Sequence, residues 1–364
     1  MFDHRHYVPC LRWKQGEYKA VSLLSSAASN LITPLIEVPE KGYDFETKSD
    51  KKTIAAHLAL FPKRVATHWK KRPCFVDLNL IAASERLQPA IHPVTHVFDE
   101  LEAFGCAAIP VTAPGRDVAY QRAVHQTPAR KKRGLALRLT IEEAARPNLR
   151  TVLQTLLGDE NKPENCDLIL DLRAPNYTPL AGFTKLLTAI ITRLPDLDRW
   201  RTFTVIGTSF PPHMGEIQTN LEIIPRHEWA LYKLVTGALV KAGVRVPAFG
   251  DYAINHPDLL QKDMRLLKPS ATIRYTINDA WLIVKGRNVR DYGYDQYRSL
   301  AKIVRTHTSF LGTGFSQGGK YVADCANGTE GTGNLSTWRW VGTNHHLEKV
   351  ARDLASLSFA WGNS

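Results

Sequence analysis

Eight short apolar runs recur along residues 5–255, and in several of them alternation sends polar side chains to one face. Successive side chains of a strand point to opposite faces. In Leu168-Ile169-Leu170-Asp171-Leu172-Arg173, Leu168, Leu170 and Leu172 therefore share one face, and Ile169, Asp171 and Arg173 the other. Gly134–Thr140 repeats the pattern with Arg138 and Thr140, and Cys74–Leu80 repeats it with Asp77 and Asn79. Burying charge without partners is costly, so the second face should turn polar only where it reaches a site. The eight strands are expected at Tyr7–Trp13, Ile32–Val38, Cys74–Leu80, Ala107–Thr112, Gly134–Thr140, Asp167–Arg173, Thr202–Ser209 and Val246–Tyr252.

Helical spacing of apolar positions fills the gaps over Ile54–Trp69, Thr95–Phe104, Thr140–Leu157, Leu180–Leu194, Pro212–Ile224 and Arg226–Ala242. Strands alternating with helices imply a parallel sheet. Eight units at even spacing favour closure, giving an α/β, TIM-like (β/α)8 barrel. No GxGxxG or P-loop pattern follows the first strand, which removes the main support for an open nucleotide-binding sheet.

Beyond the eighth strand the pattern changes. The segments 271–276 and 280–285 flank Asn278-Asp279 and read as an antiparallel hairpin. Tyr297–Thr306 reads as a helix, Gly312–Gly333 as a glycine-dense mobile loop, and 345–358 as a terminal helix that completes the outer layer. The expectation is a single domain over 1–364, with 256–344 forming a C-terminal elaboration of hairpin, helix and Gly-rich loop at the barrel mouth.

In such a barrel the strand C-termini converge at one rim, so residues distant in sequence become neighbours there. Glu37, Asp77, Asp171 and Asp251 are the candidate catalytic acids, because carboxylates supply general acid/base groups or hard-cation ligands. Arg12, Lys14, Asn79, Arg138, Arg173 and Ser209 are the candidate substrate-binding residues, since guanidinium forks suit phosphate or carboxylate. The competing account is that these charges pair across the barrel and only fix its architecture. Gly207-Thr208-Ser209 is not a GxSxG elbow, and adjacent His345 and His346 diverge on a helix, unlike the i, i+4 pair that binds zinc. No metal is assigned, and no cofactor can be named.

Charge changes the picture in one respect. The chain carries a formal net charge of +12, which favours anionic partners. Lys70, Lys71 and Arg72 precede the third strand, Arg130, Lys131, Lys132 and Arg133 precede the fifth, Arg199 and Arg201 flank the entry to the seventh, and Lys241 and Arg245 precede the eighth. These helix-to-strand connections would lie on the barrel's N-terminal face, where they could meet nucleic acid or a partner protein. The acidic connection Asp159–Glu164 interrupts that ring. The five cysteines are unclustered, and no apolar stretch approaches ~18 residues, so the expected setting is a reducing cytoplasm without membrane contact.

The opening Tyr7-Val8-Pro9-Cys10-Leu11-Arg12-Trp13-Lys14-Gln15-Gly16-Glu17-Tyr18, followed by 32–39, resembles the start of the beta protein family of phages and bacteria. Gly250-Asp251-Tyr252 and Trp338-Arg339-Trp340-Val341-Gly342-Thr343-Asn344-His345-His346 resemble later landmarks of that family. The resemblance covers essentially the whole chain and singles out Lys14, Glu17 and Glu37. It implies a setting in phage and bacterial mobile or defence loci, but brings no settled activity and no catalytic residues.

Two functions are therefore carried forward. The first is a hydrolase or lyase acting on an anionic, phosphorylated or nucleotide-like substrate at the barrel mouth. The second is a noncatalytic ligand-sensing or binding component of an anti-phage defence assembly, whose partner is an anionic small molecule, a protein of that assembly or nucleic acid. Catalysis needs acids and bases within reach of one pocket atom, whereas binding needs only an exposed patch.

Overall fold

The computed structural model describes residues 2–44, 49–158, 162–217, 219–258 and 268–361. They cluster into two compact units. One comprises Met1–Trp13, Ile32–Gly207 and Leu231–Asp251, and the other Lys14–Leu31, Thr208–Ala230 and Tyr252–Ser364.

The first unit is built on the eight expected strands. They run Cys10–Arg12, Leu35–Glu37, Cys74–Asp77, Ala108–Thr112, Ala136–Thr140, Asp167–Asp171, Thr202–Ile206 and Ala248–Gly250, and pair in that order. All the pairings are parallel. The ends of the sheet meet, because Val8 N donates to Phe249 O at 2.9 Å and Cys10 N to Asp251 O at 2.7 Å. A sheet joined at its edges leaves no open edge strand.

The split of faces follows the alternation. Leu135, Leu137, Leu139, Leu168, Leu170, Leu172, Phe203 and Val205 join one apolar core with leucines of the surrounding helices. The other face carries Arg138 and Asp171, both buried. Gly250 sits where a Cβ would come within 2.6 Å of Val8 O, so only glycine lets the last strand approach the first this closely.

Some helices depart from the expected spans. Thr140–Leu157 is two helices, Ile141–Ala144 and Leu149–Leu157, because Pro147 between them cannot continue the ladder. The first begins with the reciprocal bonds of a capping box between Thr140 and Glu143. Ile54–Trp69 likewise divides into Ile54–Leu58 and Phe61–His68, with Pro62 in the first turn of the second. Among the described residues, no helix is long and apolar enough to cross a membrane.

The second unit holds an antiparallel sheet in which Ala280–Asn288 lies between Leu221–Pro225 and Ser270–Thr276. Its hairpin is the one expected from sequence. The strand Leu221–Pro225 replaces part of the helix expected over Pro212–Ile224. Its exposure alternates along the chain, as a strand with one covered face requires.

The glycine-dense stretch is also not a loop throughout. Gln317–Asn327 is a helix with Ser316 as its N-cap, and it buries Val322, Ala323, Cys325 and Ala326. A Cβ on Gly318 would lie 2.2 Å from Val341 O, so glycine here permits close helix packing rather than mobility. The final helix starts at Leu335, well before residue 345, and runs to Trp361.

Candidate functional site

The rim of the first unit is organised by one guanidinium. Arg138 Nη1 donates to Glu37 Oε1 and to Asp77 Oδ2, each at 2.8 Å. Its Nε and Nη2 reach Asp171 Oδ2 at 2.9 and 2.7 Å. The three acids end separate strands, and register sets Glu37 directly beside Asp77. Parallel alignment of short strands thus brings residues 37, 77, 138 and 171 together, as their shared inward face implies.

Further donors surround this centre. Arg116 Nη2 donates to Asp77 Oδ2 at 3.0 Å, and its Nη1 to Asn79 Oδ1. Tyr120 Oη donates to Asp77 Oδ1 at 3.2 Å, and Arg12 Nε stands 3.9 Å from Glu37 Oε2. Burial opposes charge on Asp77, but Arg116 and Arg138 outweigh it and hold the carboxyl below its ordinary range. Tyr120 is shifted upward by burial and by Asp77, so its phenol keeps its proton. Burial, with Glu37 next, raises the Cys10 thiol well above its ordinary value, although its Sγ lies 3.9 Å from Arg138 Nη2.

Asp251 occupies the seam between the last strand and the first. It is fully buried and accepts from Tyr7 Oη at 2.5 Å. Arg173 follows the sixth strand at φ 57°, and its backbone N donates to Asp171 Oδ1 at 2.9 Å. Asn79 uses its backbone N in the same way on Asp77 Oδ1.

Two expected substrate-binding residues belong to the second unit. Lys14 precedes the helix Gln15–Ser22 as its N-cap. Ser209 accepts from His227 N at 2.9 Å and donates to Glu228 Oε2 at 2.7 Å, so its hydroxyl secures the start of the helix His227–Lys241. Arg116, Tyr120 and Tyr7 were not among the expected site residues. Ala113-Pro114-Gly115-Arg116 follows directly on the fourth strand, and that placement was the available signal.

On the basic connections, Lys132 and Arg133 both pair with Glu102, and Arg130 is buried with Nη1 on His125 O. Lys70, Lys71 and Lys131 are exposed, and Arg72 lies 5.2 Å over the Trp69 ring. Asp159, Glu160 and Asn161 of the interrupting acidic connection lie outside the described residues.

A cavity of about 560 Å³ opens in the second unit, lined by Ser25, Phe315, Gln317, Lys320, Glu348 and Arg352 among others. None of the expected site residues lines it. Its charges are engaged: Glu348 accepts from Ser25 N at 2.6 Å, Arg352 stacks over Phe315 at 4.2 Å, and Lys320 pairs with Asp324 at 2.5 Å. Among the described residues, no group of three or more His, Cys, Asp or Glu is arranged to hold a metal ion.

Eight parallel strands closed edge to edge, with helices between them and charged residues at their C-terminal ends, define an α/β barrel of TIM type. A family model described as Beta protein matches residues 7–352, and the chain belongs to the beta protein family. No curated protein matches the chain. Among solved structures it is similar to triosephosphate isomerase from Bartonella henselae at 16% identity and a TM-score of 0.34. That likeness covers 68% of this chain and 93% of that one.

Proposed function

We propose that the barrel rim is an active site for hydrolysis or elimination on an anionic, phosphorylated or nucleotide-like small molecule. The observation that carries this reading is the gathering of Glu37, Asp77 and Asp171 around Arg138 at the C-terminal ends of different strands, with Asp251 following the eighth strand and bonded to Tyr7. Arg138 already holds three carboxylates, so it orients acids rather than binding substrate. Arg12 and Arg116 keep 16% and 17% side-chain exposure, and they are the cations placed to hold a substrate anion. Asp77, held ionised, supplies fixed negative charge. Asp251 with Tyr7 is the carboxylate–phenol pair suited to accept and return a proton.

A panel of phosphorylated compounds, assayed for turnover, tests this reading. Asp251→Asn should lower kcat by about 10²-fold or more, the usual range for a lost acid/base group. Arg116→Gln should mainly raise KM. Turnover surviving Asp251→Asn within about twofold would remove the acid/base assignment.

The saturation of Arg138 by carboxylates favours a second reading, a noncatalytic ligand-binding rim within a phage-defence assembly. It predicts that anionic compounds raise Tm through Arg12 and Arg116 without being turned over. Family membership is what supports the phage setting, and plaquing efficiency on bacteria expressing the wild type or Asp251→Asn tests it.

A further inference from the structure

The second unit carries two arginines that none of its described carboxylates pairs with. Arg274 lies in the strand Ser270–Thr276, on the face opposite Ala271, Ile273 and Tyr275, which enter the apolar core. Its Nε is shielded from water without a hydrogen-bond partner among the described residues. Its guanidinium lies over the face of Phe210, 5.8 Å from the ring centre. Burial, with Arg339 second, lowers its pKa to about 9.

Arg339, on the helix Leu335–Trp361, donates among the described residues to neutral oxygens, Asn255 Oδ1 and Ile254 O. The acid that senses Arg339 is Glu17, and the two form no ion pair. Glu17 Oε1 accepts from Asn255 Nδ2 at 3.2 Å, while its buried Oε2 has no partner among the described residues. Burial raises the Glu17 pKa against the opposing influence of Arg339.

Glycines let the chain pack closely against both arginines. A Cβ on Gly16 would lie 2.3 Å from Arg339 Cγ, and one on Gly342 would lie 2.8 Å from Arg274 O. Two half-buried like charges with no carboxylate paired to either among the described residues are costly unless a counter-charge joins them.

We propose that Arg274 and Arg339 form an oxyanion site for a phosphoryl group, independent of the carboxylate cluster at the barrel rim. A phosphoryl dianion balances both guanidiniums, whereas a carboxylate balances one. Planar guanidinium forks match phosphate oxygens. The orphaned Glu17 Oε2, once protonated, is a donor suited to the same group. Asn255 links Glu17 to Arg339 and so acts as a positioning residue.

Isothermal titration calorimetry of the full chain with inorganic phosphate, sulfate and acetate tests the site. Phosphate should bind, and Arg274→Gln or Arg339→Gln should each weaken it at least about tenfold, the loss expected for a charge-assisted hydrogen bond. Lys70→Gln, an exposed charge outside both sites, should leave that affinity within about twofold, the margin of a distant independent site. Arg274→Lys keeps the charge but not the fork, and should weaken phosphate severalfold even if the glutamine variant misfolds. The proposal is overturned by wild type that binds no phosphate, or by wild-type affinity in folded Arg339→Gln and Arg274→Lys. Affinity lost only with Arg116→Gln would place the phosphate at the rim and equally overturn it. Acetate binding as tightly as phosphate would overturn the phosphoryl assignment.

Discussion

Arg138 is the residue on which the rim depends. Removing one member of a buried ionic group leaves the others uncompensated, at about 3–5 kcal/mol. Arg138→Met removes the shared partner of Glu37, Asp77 and Asp171, all of which are buried, and leaves Asp77 with Arg116, Tyr120 and the Asn79 backbone N. The loss should be largest near neutral pH and shrink toward pH 4, because acid lessens the negative charge left without Arg138. Wild type should behave differently in acid. The Asp77 carboxyl is held below its ordinary value of 3.8. Its contribution is therefore present above about pH 4 and lost as pH falls through the lowered folded value. Urea midpoints of both proteins at pH 7 and pH 4 check the prediction, and an Arg138→Met deficit that is equal at the two values would contradict it. At this scale alternation made Glu37, Asp77, Arg138 and Asp171 legible, because strand parity fixes the face. Arg116 and Tyr120 were not legible, since their reach depends on a loop and on the helix Val118–Gln126. Ser209 follows the seventh strand, where sequence marks it as a rim residue, yet its hydroxyl is taken up by the start of the next helix.

Among the elements, the eight barrel strands were the legible part, since buried parallel strands read as continuous apolar runs. The elements missed were those in which local residues compete with the pattern. Pro147 breaks a helical period, and Gly318-Gly319 disguises a helix that needs glycine to pack. The contact between the hairpin and the terminal helix supplies a measurable pH response. His345 stacks on Tyr275 at 3.8 Å, its Nε2 lies 2.8 Å from Thr276 O, and its Nδ1 lies 3.1 Å from Ser316 Oγ. Burial chiefly, together with His346, Lys349 and Arg352, lowers its pKa from 6.5 to about 3. The folded state therefore holds it neutral while the unfolded chain protonates it. The stability it contributes is intact above pH 6.5 and is lost progressively as pH falls toward 3. The slope approaches about 1.4 kcal/mol per pH unit inside that window. His345→Gln removes the titration, so its urea midpoint should start lower at pH 8 but fall less steeply below pH 6.5. Parallel curves for the two proteins would show that His345 does not set the acid response.

For the whole molecule, the net charge of +12 attracts polyanions generally, and the question is whether any part of it forms a specific surface. The basic connections read from sequence as a ring, but the structure engages many of their members internally. Lys132 and Arg133 pair with Glu102, Arg199 with Glu164, and Arg201 with Asp167. Arg245 Nη1 donates to the carbonyls of Leu197 and Trp200. Lys70, Lys71 and Lys131 remain exposed without an ion pair among the described residues. Too few phosphate contacts are available for tight binding, so association with duplex DNA should be weak and nonspecific. Because each neutralised phosphate releases counterions, it should vanish between about 50 and 200 mM salt. Replacing Lys70, Lys71 and Lys131 with Gln should weaken it further at low salt and leave phosphate affinity at Arg274 and Arg339 unchanged, because a surface charge acts through long-range attraction that salt screens. Fluorescence anisotropy of a labelled duplex across a salt series measures both effects. Binding that persists at 200 mM and prefers one sequence would instead establish a nucleic-acid surface that the engaged arginines give no reason to expect.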